Sequence, residues 1–243
     1  MQSDEATKQS PAARAAVRLA QHERNRLDAM EWIDRSWLPR WFDVASPPSD
    51  AMRSRDNACV LASALGLPVF DVRDLFDGIE AGKTIPAPRR QRLAMAALPM
   101  GDQLRLLRVR SLVFRRAEVR RVLDLERRSR WAAMIGDDGA AHLRWLQSLA
   151  DAPEMAVLSR TLGAPPLDAL DETALAWEGY CMLVRDGALT DDAGRTGPSM
   201  LRFGLPRSWT TPAWLARCER HIDASGSAQL LDRLPILFPE HAW

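Results

Sequence analysis

An all-α fold follows from three features of this sequence. Leu, Ala and Arg, which favour helix, are abundant, whereas the strand-favouring Val, Ile and Thr are sparse beside them. Apolar residues recur at helical spacing over long stretches, above all between Leu98 and Met134. Between those stretches stand clusters of Gly, Pro, Asp and Ser, the residues that start turns and stop helices. The expected architecture is an irregular multi-helix bundle of about nine to twelve helices with no substantial sheet.

The elements fall in order along the chain. Residues 1–11 are polar and end at Pro11, which reads as a disordered tail. From Ala12 to about Phe42 the spacing of Leu19, Leu27, Trp32, Trp37 and Trp41 is helical, with Pro39 breaking the end. Residues 45–50 are a linker by composition. Asp50 or Ser54 opens a helix that Gly66-Leu67-Pro68 stops. A short turn of helix is expected from Asp71 to Phe76, a loop at 82–88, and a helix from Arg89 to Ala97. The block Leu98–Met134 reads as one helix or two, closed by Gly136-Asp137-Asp138-Gly139. Helices follow at 140–150 and 153–162, then at 174–185 behind the acids Asp171 and Glu172, which suit the positive end of a helix dipole. A last clear helix is expected from Pro212 to His221, before an apolar, Pro-interrupted tail. This divides the chain into a tail at 1–11, an N-terminal helical region at 12–90 and a helical core at 91–243. No repeat of 20–50 residues is evident, which removes solenoids and propellers.

Charge and cysteine usage narrow the function classes. The net charge is +1, from 33 basic and 32 acidic residues, which argues against a dedicated nucleic-acid binder. Cys59, Cys181 and Cys218 are far apart and have no metal-ligand spacing, so reduced thiols in a cytosol fit best. No apolar run is long enough to cross a membrane, and the N-terminus lacks the apolar stretch of a secretory signal.

No catalytic constellation emerges. His22, His142, His221 and His241 stand at no HExxH spacing and beside no GxSxG elbow, and read as surface or satisfied core residues. Gly78 to Thr84 ends in Gly-Lys-Thr like a phosphate-binding loop. The glycines are one residue too close, however, and Pro86 and Pro88 follow where a helix should start. The Asp137/Asp138 and Asp191/Asp192 pairs sit in Gly-bearing turns without calcium-loop spacing. No enzyme activity, cofactor or metal is expected. Residues 58–77 also read as a helix-turn-helix around Leu65-Gly66-Leu67, but the second segment carries little basic charge.

One charge feature stands out: ten arginines fall within residues 105–130, at 105, 108, 110, 115, 116, 120, 121, 127, 128 and 130. Three readings stay open for them. They form the solvated face of a helical hairpin, a docking face for an acidic protein, or a contact for nucleic acid or anionic lipid. Under the docking reading, charge reversal at Arg115, Arg116 and Arg120 weakens partner capture without unfolding. Tryptophans recur at both ends of the chain, where core burial and interface anchoring both apply.

The same block carries a family resemblance. Leu98-Pro99-Met100 precedes a helix with Leu104, Leu106 and Leu107, then Arg110-Ser111-Leu112-Val113-Phe114 and Val119-Arg120-Arg121-Val122-Leu123. Downstream come Ala174-Leu175-Ala176-Trp177 and Leu201-Arg202-Phe203-Gly204-Leu205-Pro206. This order of elements, over residues 95–243, resembles the SctK adaptors of type III secretion sorting platforms (YscK, PscK and Hrp-type relatives). The resemblance implies a non-enzymatic, helical, cytoplasmic adaptor. It would link an SctQ-like pod protein to the cytoplasmic domain of an SctD-like inner-membrane ring protein, reaching the membrane only through partners. Arg108, Arg115, Arg116, Arg120, Arg121, Trp209 and Trp214 are the candidate partner-binding residues. The competing function is a helical DNA-binding transcriptional regulator reading duplex through the arginines at 115, 116, 120 and 121.

Overall fold

The computed structural model describes residues 10–38, 55–67, 87–136, 138–189 and 200–241. Residues 1–9 of the tail expected at 1–11, the linker at 45–50, the turn at 71–76 and the Gly-Lys-Thr segment lie outside the described residues, whereas Ser10 and Pro11, expected in that tail, start the first helix. The described chain is helical, without strands, as the composition predicts. Its α-helices are α1 (Pro11–Leu27), α2 (Ala29–Trp32), α3 (Arg55–Ala64), α4 (Ala87–Ala96), α5 (Met100–Phe114), α6 (Arg116–Arg121), α7 (Leu125–Met134) and α8 (Gly139–Ser148). They continue with α9 (Met155–Leu162), α10 (Glu172–Arg185), α11 (Met200–Phe203), α12 (Ala213–Arg217), α13 (Gly226–Asp232) and α14 (Leu234–Leu237). The count exceeds the expected one because three of these helices are single turns of 4 residues.

Local chemistry explains most boundaries. The Ser10 hydroxyl accepts from the Ala13 N–H to open α1, with Pro11 in the first turn. The Asp171 carboxylate caps α10 through the Ala174 N–H at 2.7 Å. After α9, Gly163 turns left-handed at φ 77°, and its N–H and that of Ala164 close back onto α9 carbonyls. The block from Leu98 to Met134 resolves into three helices. At Arg115 the helix breaks and restarts, and at Val122–Asp124 the chain is extended until the Asp124 carboxylate caps α7.

Helices α5 and α10 form the centre. They cross so closely at Gly179 that an added Cβ would lie 1.8 Å from the Leu107 carbonyl oxygen. Leu106, Leu107, Leu112, Val113 and Phe114 from α5 meet Leu175, Met182 and Leu183 from α10, all at essentially zero exposure. Burial of that size stabilises by roughly 1.5–3 kcal/mol per large apolar side chain before entropy is counted. Helices α6, α11 and α13 pack against α5, α8 packs against α6 and α7, and α3 packs against α1 and α2.

The N-terminal segment is tied to the far end of the chain. Asp34 N–H donates to the Phe203 carbonyl at 2.8 Å and the Trp37 indole to the Leu205 carbonyl at 2.8 Å. The Asn25 amide donates to the Leu98 carbonyl at 2.7 Å. The Arg202 guanidinium lies between the Trp37 and Trp177 rings, 5.0 and 4.7 Å from their centroids.

The expected helix from Pro212 to His221 is shorter than its pattern suggests. It stops at Arg217, and residues 220–225 form turns instead. The turn brings Asp223 inward, where its side chain is 1% exposed.

Candidate functional site

The arginine-rich block does not form one face. Arg110 and Arg115 are 0% exposed and Arg116 is 4% exposed, so the solvated-hairpin reading fails for these three. Arg110 projects from α5 and reaches three groups. Its Nη2 lies 2.7 Å from Asp186 Oδ2, its Nη1 2.8 Å from Asp223 Oδ2, and its Nε donates to Ser227 Oγ at 2.7 Å. Arg116 donates to the second Asp223 oxygen at 2.7 Å and to the carbonyls of Val113, Ala150 and Asp151. Arg115 grips both Glu178 carboxylate oxygens at 2.7 Å each, and also bonds Glu118 and the Pro165 carbonyl. Ser111 adds a 2.6 Å bond to Glu178. With Arg185 on Asp186 at 2.9 Å, four guanidiniums meet four carboxylates.

This arrangement satisfies charges that burial would otherwise penalise severely. Burial alone would lower the Arg115 pKa, but the bonds and charge of Glu178 hold it above the ordinary arginine value. Asp151 and Asp223 adopt left-handed backbone, at φ 53° and 60°, and both meet Arg116. Asp tolerates that conformation better than most residues, at a modest cost in strain. Gly226 must lack a side chain here, because a Cβ would stand 2.2 Å from Asp223 Oδ2 and 3.0 Å from Arg110 Cζ. The network joins α5, α6, α10 and the turn before α13, and its geometry is that of a structural lock.

The other half of the block points outward. Arg120 and Arg121 are exposed, and Arg128 is half-buried; none of the three has a side-chain partner among the described residues. Arg127 pairs with Asp168 at 2.8 Å on the surface, and Arg130 bonds carbonyls of the same loop. Leu123 and Leu125 sit between these arginines at 91% and 76% exposure.

The remaining candidate residues divide in the same way. Arg108 pairs with Glu172 at the surface of the central helix pair, and its pKa is lowered by burial despite that partner. Trp214 is buried against Phe114, with the Arg115 guanidinium 5.7 Å from its centroid. Trp209 is 37% exposed and meets Trp177 edge-on.

Two other features have the outline of sites. Asp102, Glu240 and His241 bring ligand atoms within 4.8 Å of one another, a grouping that could hold a cation. Arg105, 3.7 Å from Asp102 and 3.8 Å from Glu240, already provides the positive charge there. An open cleft of about 680 Å³ lies beside Arg116, Trp145, Asp223 and Arg233. Ser225 and His221 both line it, but the Ser225 hydroxyl accepts from Gln229 at 2.9 Å and the His221 imidazole lies 3.1 Å from Glu219, so the two side chains are turned to other partners. The Cys181 thiol, raised to about 11 by burial, is poorly suited to nucleophilic work at neutral pH.

Sequence reasoning named the arginines but missed their buried partners Glu178, Asp186 and Asp223. One signal was visible. Glu178 is the lone acid within the apolar run Ala174 to Val184, where an unpaired carboxylate could not stay charged.

The sequence from residue 9 to residue 240 matches the family model described as bacterial type III secretion protein (HrpB4). The chain belongs to this family, which is the SctK/YscK-like family. No curated protein and no solved structure matches it. The resemblance read from residues 95–243 thus extends through the N-terminal third as well. The protein is a component of type III secretion, and no described helix is long and apolar enough to cross a membrane.

Proposed function

We propose that this chain is the non-enzymatic cytoplasmic adaptor of the secretion sorting platform, linking an SctQ-like pod protein to the cytoplasmic domain of an SctD-like inner-membrane ring protein. The family match across residues 9–240 carries the reading. The site geometry supports it. The polar investment of the molecule goes into a buried lock that fixes helix positions, which a docking subunit needs. The outward arginines Arg120 and Arg121 remain available for a partner, as does the partly exposed Trp209. Recruitment to the base of the apparatus would then come from partners rather than from a membrane span of its own.

The DNA-binding reading loses ground for a physical reason. Two of its four arginines, Arg115 and Arg116, are buried and ion-paired, so the basic surface is smaller than the sequence suggests. The test is an affinity pull-down from the native bacterium under secretion-inducing conditions. The adaptor reading expects SctQ-like and SctD-like proteins in the eluate. Recovery of no secretion-apparatus component would reject it. A duplex filter-binding assay at low salt should show no retention; salt-sensitive retention would restore the DNA reading.

A further inference from the structure

We infer that the extended step between α6 and α7, with Leu123 and Leu125 at its crest and Arg120, Arg121 and Arg128 around it, is the docking ridge for an acidic protein segment with an apolar centre. The inference rests on the adaptor reading and gives one of its interfaces a position and a chemistry.

Four observations carry it. Leu123 and Leu125 are the most exposed large apolar side chains among the described residues, at 91% and 76%. Single exposed leucines are ordinary, but two exposed two residues apart, Leu123 on the extended step and Leu125 at the start of α7, form a local apolar crest. The step is held at both ends, because Asp124 caps α7 through the Glu126 N–H at 2.8 Å and Val119 of α6, three residues before the step, is 1% exposed. A ridge presented on a fixed backbone loses little entropy on binding.

The charge around the crest is lopsided. Arg120, Arg121 and Arg128 have no carboxylate partner among the described residues, in a chain that pairs its other central arginines thoroughly. Asp124 and Glu126 are the acids on the same step, and Asp124 is already used as a cap and by Arg127. The surplus is positive, so a complementary partner carries carboxylates flanking an apolar pocket or side chain. Arginine suits this role because its planar fork grips carboxylates bidentately, while its stem extends the apolar surface.

A protein fits the ridge better than an anionic membrane does. Electrostatic membrane attachment draws on dense clusters of four or more free basic residues, whereas here Arg127 and Arg130 are engaged with residues 168–170, and Asp124 and Glu126, which stand between the arginine pairs, would be repelled by anionic headgroups. The apolar crest also consists of only two side chains, too few for stable insertion.

The test uses the full chain with three probes: the purified SctQ-like protein of the same secretion system, the SctD-like cytoplasmic domain, and vesicles containing anionic phospholipid. Wild type is compared with Leu123→Asp/Leu125→Asp and with Arg120→Glu/Arg121→Glu. Circular dichroism and urea unfolding confirm that both variants fold. The inference expects wild type to bind one protein probe, with affinity at least tenfold weaker in each variant. Wild-type binding should also fall as salt rises. If wild type binds a protein probe and both variants bind it equally well, the ridge is overturned and the adaptor reading stands. If wild type binds neither protein, the adaptor reading falls and the ridge with it. Binding that depends on the ridge but occurs only on vesicles overturns the protein partner in favour of lipid.

Discussion

Arg110, Arg115 and Arg116 share a residue type, a neighbourhood in sequence and a helical setting with Arg120, Arg121 and Arg128, yet the two groups occupy opposite environments. The first three lie at 4% exposure or less and are saturated by Glu178, Asp186 and Asp223. Of the second three, Arg120 and Arg121 are exposed and Arg128 is half-buried, all without side-chain partners among the described residues, near two exposed leucines. What separates them is the supply of carboxylates from distant elements. Where α10 and the turn at 220–225 bring acids against α5, arginine becomes part of the interior. Where the chain steps out at Val122–Asp124, no such acids arrive. Local arginine density therefore does not identify a binding face; the position of the counter-charges decides.

The sharpest way to break the contrast is at Asp223, which serves two arginines at once. Asp223→Ala leaves Arg110 and Arg116 short of a counter-charge in the interior and should cost about 3–5 kcal/mol in urea unfolding. Asp223→Asn keeps a residue that tolerates left-handed backbone, so the loss it still shows reports the charge alone. A loss near zero in both would mean the lock contributes nothing. Gly179→Ala asks whether close helix approach matters as much as charge. Its methyl would enter the Leu107 carbonyl at 1.8 Å, so a loss of about 3 kcal/mol by thermal or urea unfolding is expected.

A smaller effect is expected at His142. Burial, and then the Arg105 charge, lower its pKa below the ordinary value of 6.5. The unfolded chain therefore takes up a proton at higher pH than the native chain does. The resulting stability is full above 6.5 and is lost as pH falls through the folded value. His142→Gln should flatten the acid side of the stability–pH curve, and an unchanged acid limb would remove histidine from the account. The smallest effect belongs to the outward group: Arg128→Ala should leave the urea midpoint unchanged, and a marked fall would place that side chain within the fold's support.

The helices were largely legible in the sequence because they depend on nearby residues. The Asp171 cap, the Gly163 stop and the apolar spacing of 100–114 are short-range signals, and each marks an element seen in the structure. The lock was not legible, because the bonds of Arg110, Arg115 and Arg116 to Glu178, Asp186 and Asp223 join residues 63 to 113 positions apart. Periodicity reports which side of a helix is apolar, and it cannot report that a guanidinium on that side will meet a carboxylate from another element. The helix pattern after Pro212 misled for the same reason. Local propensity allows a helix as far as His221, but the chain leaves it at Arg217 and turns Asp223 toward the two arginines. Of the docking candidates, Arg120 and Arg121 face solvent as a docking face requires. Arg115, Arg116 and Trp214 are buried, so charge reversal at Arg115 or Arg116 is now expected to unfold the chain rather than spare it.

The division of the arginine block is tested most directly by the urea midpoints of two single charge reversals four residues apart, Arg116→Glu and Arg120→Glu. The structure predicts that Arg116→Glu sets a carboxylate against Asp223 and collapses the midpoint or prevents folding, while Arg120→Glu unfolds with wild type. Equal midpoints for the two variants would contradict the division between a buried lock and an outward ridge.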